Sequence, residues 1–159
     1  MPLRTDTATR RMRATPSVLY RAFATAEAMQ AWLPPEGMRG QMLAFDFREG
    51  GGYRLRLVYE DASDAPGKSS PDADEVEVRF TKLVADQSIV QAAVFESEDP
   101  AFAGEMRITW HFEPAQGGQH TQVTVRCDNV PAGIGEADHL AGLRSSLASL
   151  AAFVESAGS

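Results

Sequence analysis

The sequence is poor in cysteine and in long apolar runs, and each shortage excludes a class of protein. Its 159 residues include one cysteine, Cys127, so neither an internal disulfide nor a paired-cysteine metal or redox site can form. No apolar run approaches the roughly 20 residues that cross a bilayer as a helix. The segment 1–16 has no apolar stretch of the kind that a secretion signal carries. We therefore expect a cytoplasmic protein without a membrane span.

An excess of positive charge is also absent. The chain carries 15 lysines and arginines against 22 aspartates and glutamates, which gives a formal net charge of −7. A diffuse negative surface repels the phosphates of nucleic acids and of anionic lipids. The composition therefore predicts no nucleic-acid partner and no membrane partner.

The sequence does contain enough apolar material for one core. Hydrophobic residues make up 43% and charged residues 23%, which is the ordinary composition of a globular protein. A chain of this length hides roughly two-thirds of its unfolded surface, so it needs neither a disulfide nor a metal to fold. We predict a single domain over residues 1–159, with a flexible polar loop at about 60–75 and a frayed tail at 156–159.

The first part of the chain predicts one strand and two short helices. Residues 3–13 alternate weakly and are rich in threonine, as strands are. Thr15 before Pro16 is a helix-start signal, because proline is preorganised for the first helical position. Thr25 starts the second helix, and the Pro-Pro-Glu-Gly segment at 34–37 ends it.

The middle of the chain is predicted to form six strands. Apolar residues recur there at every second position, which is the period of a half-buried strand. Turns such as Gly50-Gly51-Gly52 separate the strands, and a strand rather than a helix follows these glycines, so they predict a hairpin and not a phosphate-binding loop. The predicted strands span residues 41–48, 53–59, 76–80, 88–96, 106–112 and 121–127.

Near residue 136 the apolar period changes from two residues to that of a helix. Five aliphatic side chains then fall at offsets 0, 3, 7, 10 and 14, which places them on one stripe of a long helix over about 136–155. The stripe consists of Leu140, Leu143, Leu147, Leu150 and Val154.

Together these elements predict an α+β fold in which a curved antiparallel sheet wraps around the long C-terminal helix. A curved sheet and a straight helix do not match in shape along their whole length. The gap between them is either filled by large side chains or left as a cavity, and an apolar cavity with few polar groups is the usual form of a small-molecule site.

The order of the elements resembles the helix-grip fold of the SRPBCC superfamily, the START-like domains. Within that superfamily the sequence is more similar to the family of activators of heat-shock-protein-90 ATPase, the AHSA family. Residues 14–23 and 26–32 stand where that family has a "PxxVWxA…DPExLxxW" segment. Residues 45–51 (FDFREGG) resemble its "D-x-R-x-G-G" strand and turn, and residues 142–147 its last helix, "GWxxxLxxL".

This resemblance implies the fold more than an activity, because many bacterial members are stand-alone domains whose ligands are unknown. By analogy with the family's co-chaperones it implies a chaperone as a partner. The sequence departs from the family pattern in two places: Leu143 replaces the usual tryptophan, which alters the helix face toward a cavity, and the polar loop at 60–75 is longer. We also expect no counterpart of the large N-terminal domain of the eukaryotic co-chaperones, which argues against the chaperone analogy.

The residues expected to line a cavity are large apolar side chains on the inward faces of strands and helices. The same side chains also serve as ordinary core, and the sequence favours neither interpretation. The predicted lining consists of Trp32, Phe45, Tyr59, Phe80, Phe95, Trp110, Leu143 and Leu147.

No set of residues predicts catalysis or metal binding. His111 faces solvent by strand parity, His120 lies in a turn, and His139 is spaced to pair with Glu136 on the surface of the last helix. The histidines and Cys127 lack the clustered spacing of metal ligands. We therefore predict no catalytic residue, no metal and no cofactor.

The favoured function is the non-catalytic binding of a small hydrophobic molecule between sheet and helix, as a carrier or a sensor. One alternative is a protein-interaction or chaperone-associated module. Another is a cyclase- or hydrolase-type enzyme acting in the same cavity, for which Tyr59 and Glu96 are the nearest candidates for an acid or base. A homodimer is left open by the sequence.

Overall fold

The computed structural model describes residues 4–34, 38–59, 73–94, 105–115, 117, 119–131 and 133–157, and it confirms the predicted order of elements. One strand and two short helices precede six strands and a long helix. The elements are β1 (Arg4–Met12), α1 (Pro16–Arg21), α2 (Ala26–Trp32), β2 (Met38–Asp46), β3 (Gly52–Tyr59), β4 (Ala73–Val84), β5 (Ser88–Val94), β6 (Glu105–Ala115), β7 (His120–Val130) and α3 (Glu136–Ala157).

Several predicted bounds shift by a few residues. β2 begins at Met38 rather than 41, and β4 begins at Ala73, so the last residues of the predicted 60–75 loop belong to a strand. The rest of that loop lies outside the described residues. His120 is the first residue of β7 rather than part of the turn.

The seven strands of the described residues form one antiparallel sheet, curved and unclosed, in the order β1-β7-β6-β5-β4-β3-β2. The strands from β2 to β7 follow each other as neighbours, which confirms the predicted meander. β1 instead pairs with β7, so that Asp6 lies opposite Cys127 and Ala8 opposite Val125. β1 is therefore the edge strand at one end of the sheet, and β7 lies next to it.

Threonine caps account for the two short helices. The Thr15 hydroxyl accepts a hydrogen bond from the Val18 amide at 3.3 Å, and Pro16 fills the first turn. The Thr25 hydroxyl accepts one from the Ala28 amide at 3.1 Å. Each cap satisfies an amide that has no partner within the first helical turn, as the sequence predicts.

α3 lies along β1 and runs in the same direction, because contacts hold it at both ends. His139 Nδ1 lies 2.7 Å from Asp6 Oδ2 near the start of both elements, and the Arg13 amide donates to Glu155 Oε2 at 3.0 Å near their ends. Sixteen helical residues rise about 24 Å, and seven strand residues extend about 24 Å. The strand and the helix therefore cover the same distance between these two contacts. Each position along β1, and each row of residues that crosses the sheet from it, lies opposite a defined turn of α3.

Aromatic rings fill much of the space between sheet and helices. Phe23, which follows α1, contacts Trp32 and Trp110 with ring centroids 5.0 Å apart in both pairs, and contacts Phe112 at 5.7 Å. A second group surrounds Phe80 and includes Phe45 at 6.3 Å. Tilted and edge-on rings at these separations are favourable contacts.

The β2–β3 turn requires its glycines. Gly50 has φ +87°, in the region where side chains other than glycine are strained. A Cβ on Gly52 would overlap the Val78 carbonyl oxygen of the neighbouring strand. The Gly50 amide donates to Phe80 O at 2.8 Å and the Gly51 amide to Arg48 O at 2.9 Å. β2 and β3 pair antiparallel across this turn, with Asp46 opposite Gly52, so the turn is a hairpin, as predicted.

Replacing Gly52 by alanine is expected to lower the free energy of unfolding by about 2–3 kcal/mol, because the new Cβ must push β3 away from β4. Gly142 is the matched control: it lies in α3 with nothing within 4 Å of an added Cβ, so Gly142→Ala is expected to stabilise by about 0.5–1 kcal/mol. Urea denaturation followed by circular dichroism measures both. Equal effects at the two positions would contradict the packing of β3 on β4.

Candidate functional site

The apolar stripe of α3 is buried unevenly along the helix. Val154 and Leu150 are fully buried, Leu147 is 1% exposed and Leu143 is 9% exposed. Leu140, one turn nearer the helix start, is only partly buried. The C-terminal half of α3 therefore packs tightly on the core, whereas the N-terminal half leaves apolar surface uncovered.

A row of inward-facing residues crosses the sheet at the level of this less buried half. Cys127 on β7, Ile108 on β6 and Gln91 on β5 lie opposite one another, and the row begins at Asp6, which contacts His139. Ile108 is central in the sheet and flanked by buried residues, yet it keeps exposed surface. The concave face is consequently not fully covered near Ile108.

Gln91 is the second polar member of this row, at the opposite end from Asp6. Its side chain is buried, with the residue 3% exposed, and its Oε1 accepts a hydrogen bond from Trp110 Nε1 at 3.1 Å. The indole nitrogen can only donate, so the oxygen of the amide must face Trp110. The orientation of the Gln91 amide is thereby fixed.

Sequence reasoning missed Gln91, although a signal was present. Residues Ile89, Gln91 and Ala93 share the inward face of β5, and Gln91 interrupts that apolar series. A polar side chain on the buried face of a strand needs a hydrogen-bond partner. The tryptophan that supplies the partner lies on another strand, so the alternation alone could not identify the pair.

The predicted lining residues fall into three groups. Trp32 and Trp110 are buried with satisfied indole N–H groups, since Trp32 Nε1 donates to Ala22 O at 2.9 Å. Phe80 and Leu147 are also enclosed by protein. Phe45 is partly exposed, and Leu143, at 9% exposed, is less completely buried than Leu147. The side chains of Tyr59, Phe95 and Glu96 lie outside the described residues.

Asp6 is a buried carboxylate at the β1 end of the row. Arg4 donates to both of its oxygens, at 2.8 and 3.0 Å, and also to Ile134 O at 2.8 Å. His139 Nδ1 lies 2.7 Å from Oδ2. The hydrogen bond from Arg4, assisted by that from His139, outweighs burial and lowers the pKa of Asp6.

This cluster corrects the predicted pairing of His139. The helical spacing suggested Glu136 as its partner, but the imidazole pairs with Asp6, 133 residues away. Both oxygens of Asp6 are engaged in joining β1, α3 and the segment before α3. The arrangement holds the N-terminal end of α3 in place.

Other reactive groups are enclosed or face solvent. Cys127 is buried, and burial together with the nearby Asp6 and Asp128 raises the pKa of its thiol to about 12, so the thiol stays protonated. His111 is exposed, as predicted. Among the described residues no three His, Cys, Asp or Glu side chains converge as a metal site would require.

Two depressions are lined mainly by outward-facing residues of the sheet. A groove of about 690 Å³ lies beside the turn at Gly50–Gly52, and one of about 360 Å³ lies between Lys82, Arg107 and Arg126. Arg107 and Arg126 both pair with Asp128, at 3.4 and 3.1 Å.

In the described part of the chain, Leu43 is the one exposed large hydrophobic residue.

None of the described helices is both long enough and apolar enough to traverse a bilayer.

The sequence profile of one family, described as "Activator of Hsp90 ATPase homolog 1-like protein", matches residues 13–155. A crystal structure of a protein from Chromobacterium violaceum is similar, with 28% identity, a TM-score of 0.78, and coverage of 95% of this chain and 97% of that one. The AHSA1-like protein from Aeromonas hydrophila shares the fold at 16% identity, with a TM-score of 0.72 and coverage of 96% and 94%. No curated protein matches.

Proposed function

Because the chain belongs to the family of Activator of Hsp90 ATPase homolog 1-like proteins, a family of helix-grip domains, we propose that it binds a small hydrophobic molecule between its sheet and α3 without transforming it. Membership supports a ligand-binding or chaperone-associated module in general. The choice of a hydrophobic ligand rests on this chain's own concave face.

The incomplete cover of that face carries the proposal. Ile108 keeps exposed surface in the middle of the sheet, and Leu140 does so on the helix half at the same level. Uncovered apolar surface is unfavourable in water at roughly 25 cal/mol per Å². A small apolar molecule that fills this space removes it from water.

We expect Phe45, Leu143, Ile108 and Leu140, which differ in element but are apolar and incompletely or only just buried, to line this space. Trp32, Trp110, Phe80 and Leu147 are enclosed by protein, and we expect them to form its closed wall. Tyr59 and Phe95 remain candidates for the lining by strand parity.

The alternatives have less support in the described residues. A chaperone-docking surface of apolar type would need an exposed patch, and Leu43 stands alone among them. A hydrolase- or cyclase-type reaction would need a free acid or base on the concave face, but Asp6 is fully engaged by Arg4 and His139. A cytoplasmic location is part of this proposal.

Filling the space is expected to weaken ligand binding. We predict that the neutral apolar dye Nile red binds the native protein saturably, and that Ile108→Trp weakens binding by about tenfold or more because the indole occupies the space. Fluorescence titration gives the dissociation constants. Val90→Trp is the matched control, since Val90 is partly buried on the adjacent strand β5 but faces the outer surface.

Equal weakening by both tryptophans would mean that the dye binds outside the concave face. Absence of saturable binding to the native protein would overturn the proposal. Circular dichroism of both variants ensures that each is folded before binding is compared.

A further inference from the structure

The amide nitrogen of Gln91 carries an inference about what the concave site recognises. Trp110 fixes the amide, because its indole N–H must meet Oε1. Nε2, with two hydrogens to donate, is therefore directed away from Trp110. Flipping the Gln91 amide, which would exchange Oε1 and Nε2, would break the hydrogen bond from the indole.

No atom of the described residues accepts a hydrogen bond from Gln91 Nε2, and Nε2 is not among their buried atoms that lack a partner. This nitrogen therefore keeps accessible surface although the residue as a whole is only 3% exposed. Its neighbours across the sheet are Phe80 and Ile108, both apolar. The result is one unpaired donor in an otherwise apolar part of the concave face.

We propose that Gln91 Nε2 donates a hydrogen bond to a carbonyl or ether oxygen of the bound molecule. The ligand class is then a neutral, mainly apolar molecule with one hydrogen-bond acceptor, such as an aryl ketone. No cation of the described residues is adjacent to Gln91 in the sheet, so a neutral acceptor fits better than a carboxylate. This inference rests on the proposed function and specifies its ligand.

The physical reason for selectivity is the cost of leaving a donor unpaired. A purely apolar molecule at this position would cover Nε2 without accepting its hydrogens, whereas a ketone replaces the bond to water. A site with a polar group that hydrogen-bonds its ligand rejects analogues that lack the atom forming this bond. Gln91 would therefore determine specificity, while the apolar walls determine affinity.

Two probes of nearly equal shape test this directly. 2-Acetylnaphthalene carries a ketone, and 2-isopropylnaphthalene replaces it by an apolar group. In the native protein the ketone is expected to bind about 3- to 10-fold more tightly, as one net hydrogen bond allows. In Gln91→Met, which keeps the length of the side chain but removes the donor, the ratio should fall to near one. Gln122→Met is the control, because Gln122 lies on β7 with its side chain on the outer face.

The side-chain amide resonances of Gln91 give a second reading that needs no variant. In ¹⁵N–¹H spectra of the native protein, the ketone should shift the Gln91 NH₂ signals more than the hydrocarbon does. Equal affinities of both probes, with no selective shift, would overturn this inference and leave the proposed function intact. If neither probe binds, the proposed function fails, and this inference fails with it.

Discussion

Replacing Phe23 by alanine is expected to lower the free energy of unfolding by about 3–5 kcal/mol, the cost of deleting a fully buried aromatic ring. Phe23 has no exposed surface, and its ring contacts Trp32, Trp110 and Phe112. The cavity left behind would be bordered by Trp32 and Trp110, whose indole N–H groups are held by hydrogen bonds, so it cannot collapse cheaply. Urea denaturation followed by circular dichroism measures the change.

Phe153 provides the matched comparison for this result. It is a phenylalanine of α3 that is only partly buried against the core, so Phe153→Ala should cost clearly less than Phe23→Ala. The emission of the two tryptophans should also shift in Phe23→Ala, because both lose a ring neighbour. Similar costs at the two positions would contradict the central place given to Phe23.

Replacing Asp6 by asparagine is expected to cost about 3 kcal/mol at neutral pH, because a buried charge is removed from its partners. The side chain at position 6 becomes a neutral amide, while Arg4 and His139 stay beside it. The N-terminal end of α3 should then be held less firmly. Urea denaturation at about pH 7 measures the loss, and Glu113→Gln, at an exposed position of β6, should change stability by less than about 0.5 kcal/mol.

The pH dependence of this effect has a definite sign. The pKa of Asp6 is lowered on folding, chiefly by the hydrogen bond from Arg4. Its contribution is therefore fully present above the ordinary carboxyl pKa of about 3.9 and is lost as the pH falls through the lowered folded value. The difference in stability between native protein and Asp6→Asn should shrink as the pH falls below about 5. A difference that grows as the pH falls from about 5 to about 2 would rule out this role of Asp6.

Local patterns in the sequence predict the elements well, because each element satisfies its own rule. The threonine caps at Thr15 and Thr25 act within three residues, and the alternation in β6 assigns Trp110 and Phe112 to the buried face. The stripe on α3 is equally local. These features follow from the 3.6- and 2-residue periods, which are properties of short stretches.

The site depends on pairs that are distant in sequence, which is why the patterns do not reveal it. Asp6 meets His139 only because β1 pairs with β7 and α3 lies along β1. Gln91 is explained only by Trp110, on the neighbouring strand. The uneven burial of α3 likewise depends on how the helix lies across a curved sheet, and the helix's own stripe, regular along its length, contains no sign of it.

The pairing of β1 with β7 also sets when the protein can fold during its synthesis. Arg4 lies opposite Val130, 126 residues later. At about 5–20 residues per second, a ribosome needs roughly 6–25 s to make the partner of the first strand. During that interval β1 has no neighbour in the sheet, and α3, which rests on β1, is made later still. The nascent chain therefore cannot complete this sheet until β7 has been translated.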